Sequence, residues 1–157
     1  MSGLAAALHP MLVHLPIGAW LLAGGAALWP RGEGRQVAFV GLVVGTVAGL
    51  AASVTGLMAH EPYEPLGGPL RDAVALHQAF TLPTTFFFFV LTLAVWRARR
   101  AGGRPLVRGW VRALVAAGAL LVVGAGWSGG RLVFEHGLAT PADPLRRGAA
   151  GPNARRP

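Results

Sequence analysis

The chain has 157 residues, of which 54% are hydrophobic and 13% are charged, and its formal net charge is +8. This length suits one domain, and soluble domains usually carry about 25% charged residues, so the composition indicates a membrane protein. Every basic residue is an arginine outside the long apolar stretches, which argues against a nucleic-acid partner. The chain has no cysteine, so disulfides, thiolate metal sites and iron–sulfur clusters are excluded. Any metal must be held by histidine, carboxylate or a cofactor.

Four long stretches without charged residues dominate the sequence. They cover residues 10–29, 37–59, 73–96 and 113–130, each close to or above the ~20 residues that a helix needs to cross a bilayer. The first stretch is not a cleavable signal peptide, because no basic residue precedes it while Arg31 and Arg35 follow it. We therefore predict an all-α fold, an integral membrane four-helix up-down bundle over residues 1–140. Residues 141–157, rich in Arg, Pro, Gly and Ala, are predicted to form a disordered tail.

The distribution of arginine predicts the orientation of this bundle, because short cytoplasmic loops retain basic residues. The connections after the first and third stretches are rich in arginine: Arg31, Arg35, Arg97, Arg99, Arg100, Arg104 and Arg108. The connection after the second stretch has more carboxylates than arginines. We expect a multi-pass protein of the inner membrane with both termini outside the cytoplasm. The arginines of the tail depart from this rule.

The histidines are the most informative feature. With helices that alternate in direction, all five fall at the outer end of the bundle: His9, His14, His60, His77 and His136. Ionisable groups at membrane depth are costly and usually functional. The outer end is therefore the predicted functional site.

The first interpretation of these histidines is a b-type haem held between the helices. His14 and His77 are the best axial ligands, because both lie inside predicted helices at similar depth. The first and third helices would be diagonal neighbours, which leaves room for a porphyrin. Such a protein would transfer electrons between a membrane donor, either a quinone or a redox protein, and an outside acceptor.

The second interpretation is a bare zinc or copper ion. His9, His60 and His136 are its second-choice ligands, and Glu135 would be a ligand or would orient one. His9 ranks lower because it precedes Pro10, and residues before proline favour an extended turn over a helix.

The third interpretation is an assembly subunit in which the histidines cap helices or bond to backbone. The sequence has no nucleophile–base pair, phosphate-binding glycine loop or paired carboxylates. An electron-transfer protein is therefore favoured over an enzyme. The lipid bilayer is the expected partner, and an oligomer is compatible with the pattern.

Two apolar patterns concern helix packing. Gly41, Gly45, Gly49 and Ser53 repeat every four residues, so one face of the second helix is small enough for a helix or a flat ligand to approach. The four phenylalanines at 86–89 cover every face of a helical turn and are predicted to face lipid.

Three motifs carry a family resemblance. The chain has His-Pro-x-x-Val-His-x-Pro at 9–16, Thr-Gly-Leu at 55–57 and Gly-Gly-x-Leu-Val-aromatic-x-His-Gly at 129–137. Together with His77 they resemble the small bacterial membrane proteins grouped as domain of unknown function 2231, over residues 8–138. The resemblance implies that the family's histidine positions are His9, His14, His77 and His136. Some members carry fused cytochrome c or Rieske-type domains, which implies a membrane redox role.

Overall fold

The computed structural model describes residues 2–29 and 32–138, together with Thr140 and Asp143. Its helices are α1 (Ser2–Leu12), α2 (His14–Leu28), α3 (Gly34–His60), α4 (Gly68–Arg100) and α5 (Gly109–Phe134). Two short 3-10 segments, Glu61–Leu66 and Pro105–Val107, lie in the second and third connections. Apart from Asp143, the tail predicted at 141–157 lies outside the described residues.

The predicted all-α membrane bundle is confirmed. In the described part of the chain, four segments are long and apolar enough to cross a membrane: Ala7–Leu28, Gly34–Tyr63, Gly68–Arg100 and Gly109–Phe134. Each contains nearly all of one predicted stretch. The helices extend past the apolar residues because intrahelical hydrogen bonds continue into the interface, and the arginines in the last turn of α4 interact favourably with the helix dipole.

The hydrogen-bond ladder of the first span is interrupted at Val13, between α1 and α2, while the Val13 backbone itself stays helical (φ −62°, ψ −25°). Pro16 explains the interruption, since its ring lacks an N–H and clashes with the carbonyl four residues earlier. The expectation that His9 sits in an extended turn before Pro10 is wrong, because α1 runs through both residues. Packing of α1 on α3 compensates for the proline. His14 becomes the first residue of α2.

Helices α2 and α4 occupy opposite corners of the bundle, and each packs against both α3 and α5. The small face of α3 receives the indole of Trp20: a Cβ built on Gly49 would lie 2.5 Å from its Cη2 atom. The pattern of small residues therefore serves helix packing.

The four phenylalanines at 86–89 were predicted to face lipid. This prediction is correct for Phe86, which is 67% exposed, and wrong for Phe88, which is 0% exposed. A helical turn directs only part of its residues inward, so a continuous aromatic run cannot all face lipid.

Hydroxyl groups join α3 to α4 inside the bundle. The Oγ1 atoms of Thr46 and Thr92 are 2.8 Å apart, and Ser53 Oγ donates to Thr85 Oγ1 at 3.1 Å. Bonds of this kind between membrane helices contribute about 0.6 kcal/mol each. They fix the register of the two helices that carry His60 and His77.

Candidate functional site

Three histidines from three helices lie side by side at one end of the bundle. The ring centroids of His9 and His60 are 5.8 Å apart with planes at 73°. Those of His60 and His77 are 5.9 Å apart with planes at 76°. We call His9, His60 and His77 the histidine row. The row joins α1, the last residue of α3, and α4.

The ring of His9 is held against α3. Its Nδ1 lies 3.0 Å from the carbonyl oxygen of Ala52, and because a carbonyl can only accept, Nδ1 carries the proton and donates. The Nε2 atom therefore keeps its lone pair. Gly56 makes this approach possible, since a Cβ at that position would lie 2.7 Å from Cε1 of His9.

The ring of His77 is held in a similar way against α5. Its Nδ1 lies 3.0 Å from Ser128 Oγ, and that hydroxyl donates its own hydrogen to the carbonyl oxygen of Ala125 at 2.9 Å. Ser128 is therefore left to accept, and Nδ1–H of His77 donates to it. Again the Nε2 lone pair is available.

His60 lies between the two other rings and differs from them. The residue is 7% exposed, and among the described residues its Nδ1 has no hydrogen-bond partner. Leaving a buried polar group unsatisfied costs about 1–3 kcal/mol. Most buried polar groups in native proteins are paired, so an exception requires an explanation.

Among the described ring contacts, none joins the other predicted histidines to the row. His14 is exposed on the first turn of α2, and His136 follows α5 in a half-buried position. Glu135 forms an exposed ion pair with Arg131, with Nη2 and Oε2 2.7 Å apart. Hydrogen bonds from Arg131 hold the pKa of the Glu135 carboxyl below its usual value. Glu135 forms its ion pair with this guanidinium, and a weaker charge interaction with the neighbouring His136 adds to it.

Sequence reasoning missed the groups that orient the histidines. Ser128 gave a usable signal, because it is the only hydroxyl residue in the apolar stretch 113–130. Ala52 gave none, since it contributes only its backbone carbonyl.

The row offers imidazole nitrogens without a carboxylate. Zinc, copper, iron and nickel accept such ligands. Within the described part of the chain, no three side chains of His, Asp or Glu already form a group arranged to hold a metal ion. Binding an ion would therefore require the rings of the row to turn toward a common point.

The comparisons with known proteins agree with the architecture. A family model described as predicted membrane protein, DUF2231, matches residues 5–142, a range that includes all five histidines and the four spans. No curated protein and no solved structure matches the chain.

Proposed function

Since the chain belongs to the family of predicted membrane proteins DUF2231, we propose a function from its polar site: the histidine row binds one copper or zinc ion. The observation that carries the proposal is His60. Its buried Nδ1 has no partner within the described residues, and an imidazole lies on each side of it. A metal ion would supply the missing partner and would use the ligand type that zinc and copper accept.

The environment of the two outer rings supports the same proposal. Metal-ligating histidines almost always donate their second ring N–H to an oxygen, which fixes the tautomer and the ring orientation. His9 has such a bond to Ala52, and His77 has one to Ser128. These bonds set the tautomer that leaves both Nε2 lone pairs available for coordination. Binding one ion would still require the rings to turn from their orientation in the structure toward a common point. The protein would bind or handle metal at the predicted outer face of the membrane.

A second candidate is a b-type haem with His14 and His77 as axial ligands, serving electron transfer with a quinone or a redox protein. The oriented ring of His77 favours it, because haem ligands also rely on such hydrogen bonds. The positions of the two side chains count against this haem site, because His14 is exposed while His77 is buried. Deeper in the bundle, Trp20 stacks on Phe88 and fills the diagonal between α2 and α4.

Metal analysis of the protein purified in mild detergent tests the proposal. After chelation and reloading, elemental analysis should find one copper or zinc ion per chain. Losing the hydrogen-bond partner of a metal ligand typically weakens metal binding about 10–100-fold. His60→Ala removes a proposed ligand itself, so we expect it to weaken binding at least as much. His14→Ala is the matched control, since that imidazole lies outside the row and should leave binding unchanged.

The haem candidate gives a different result in the same preparation. A Soret band that shifts on reduction and is lost in both His14→Ala and His77→Ala would establish haem in place of a bare ion. Protein that binds neither metal nor haem would overturn both candidates and leave an assembly role.

A further inference from the structure

The end of the bundle opposite the histidine row contains a cavity of about 400 Å³. It opens where the third connection meets the start of α3. Its basic lining consists of Arg35, Arg99 and Arg104, and the turn that closes it contains Gly102 and Gly103. The cavity thus gathers one arginine from the start of α3, one from the end of α4 and one from the third connection.

An apolar groove of about 140 Å³ adjoins this cavity. The two share Gly103 and Arg104, and the groove continues between α4 and α5 along Ala94, Val95 and Trp110. Ala94 is exposed, and Trp110 is 61% exposed, so the groove opens on the outer surface of the bundle. A basic cavity is therefore continuous with an apolar groove on the surface of the bundle that would contact lipid.

We infer that the cavity and groove together bind an anionic phospholipid. Its phosphate lies among the arginines, and one acyl chain follows the groove between α4 and α5. Arginine suits this role because its planar guanidinium pairs with phosphate oxygens through two parallel hydrogen bonds.

The position of Arg99 is fixed before a ligand arrives. Its Nη2 donates to Gln36 Oε1 at 3.1 Å, and its guanidinium carbon lies 4.2 Å above the ring of Phe39. A guanidinium has several N–H donors, so the bond to Gln36 leaves others for phosphate. Residues 97–134 include no Asp or Glu, so the third connection and α5 provide no carboxylate to compete for Arg99 and Arg104. The carboxylate nearest to Arg35 in sequence is Glu33.

The groove distinguishes a lipid from a free anion. Inorganic phosphate would use only the basic cavity, whereas a phospholipid matches both the cavity and the adjoining apolar surface. Basic pockets between membrane helices are a recognised form of lipid headgroup site. The continuity of the two surfaces therefore favours the lipid.

Native mass spectrometry of the full chain, released from mild detergent, tests this inference. Dioleoyl-phosphatidylglycerol and dioleoyl-phosphatidylcholine are titrated in parallel, because they share acyl chains and differ in net charge. We expect phosphatidylglycerol to bind with one lipid retained per chain and with clear preference over phosphatidylcholine. Arg104→Gln and Arg99→Gln should each weaken it about fivefold, the effect of one basic residue near an anionic lipid. Arg97→Gln is the matched control, since it removes the same charge outside the cavity.

A second variant separates the two parts of the site. Ala94→Phe should fill the groove and reduce retention of phosphatidylglycerol, while the thermal stabilisation produced by inorganic phosphate alone should stay as in the parent protein. Phosphatidylglycerol binding that survives Ala94→Phe, with equal stabilisation by inorganic phosphate, would overturn the role of the groove and leave a site that recognises only the phosphate group. Equal losses in Arg97→Gln and Arg104→Gln, or equal retention of both lipids, would overturn a specific site altogether.

Discussion

The indole of Trp20 lies flat on the ring of Phe88, with centroids 4.3 Å apart and planes 9° apart. The two residues are 4% and 0% exposed, and they belong to helices at opposite corners of the bundle. The stack therefore connects α2 to α4 through the centre of the fold. Gly45 and Gly49 of α3 lie against the indole and complete the contact.

Phe88→Ala should strongly destabilise the bundle, because it removes one half of this stack and leaves a cavity. We expect a loss of about 3–5 kcal/mol in the free energy of unfolding, measured by reversible denaturation in detergent. Phe86→Ala deletes the same side chain from an exposed position two residues away and should change stability by less than about 0.5 kcal/mol. Equal losses in the two variants would contradict the central position of Phe88.

Gly49→Ala should also destabilise the protein, for the opposite reason. The new Cβ would lie 2.5 Å from Cη2 of Trp20, a rigid ring that cannot move aside cheaply. Overpacking of this kind costs about 1–3 kcal/mol. Gly126→Ala is the control, because a Cβ there meets no atom within 4 Å, and alanine favours the helix by about 1 kcal/mol. The thermal midpoints of the two variants should therefore move in opposite directions.

Ser128→Ala should reduce metal affinity without removing a proposed ligand. It deletes the oxygen that accepts Nδ1–H of His77, so the ring loses its fixed orientation. Such changes cost about 10–100-fold in metal affinity, which a copper or zinc titration would measure. Ser53→Ala deletes a hydroxyl that bonds to Thr85 instead, and its affinity should match that of the parent. If both variants bind the metal with the same affinity, His77 is not one of its ligands.

The orientation of the protein can be tested separately from its function. The excess of arginine in the third connection predicts that this loop is cytoplasmic. A reporter that is active only outside the cytoplasm should therefore work when inserted at Gly67 and fail at Gly102. The reverse pattern would place the histidine row on the cytoplasmic side.

The four spans could be predicted because uninterrupted apolar length is a property of sequence alone. The boundaries were less predictable, since α4 continues through Arg97, Arg99 and Arg100 as a regular helix. The inward position of Phe88 could not be predicted, because four consecutive phenylalanines have no periodicity to distinguish an inner face from an outer one.

The structure brings three of the five histidines together at one end of the bundle and groups them differently from the preferred pair. Depth follows from distance along a helix, so the sequence placed the histidines near one level. Rotation about the helix axis separates His9 from His14, because residues five apart on a helix of 3.6 residues per turn point about 140° apart. His9 then lies in the row while His14 is exposed. The pairing of His14 with His77 in haem binding stays a prediction.

Pro16 cannot donate the helical hydrogen bond to Leu12, so the first span has one bond fewer where α1 meets α2. Helix α1 packs mainly on α3, and His9 is also bonded to α3 through the carbonyl of Ala52. Hydrogen exchange beside the missing bond is expected to be faster than in the core. Local opening of α1 would withdraw the His9 imidazole and leave His60 and His77 in place. The number of imidazoles in the row could then change between three and two without unfolding the bundle.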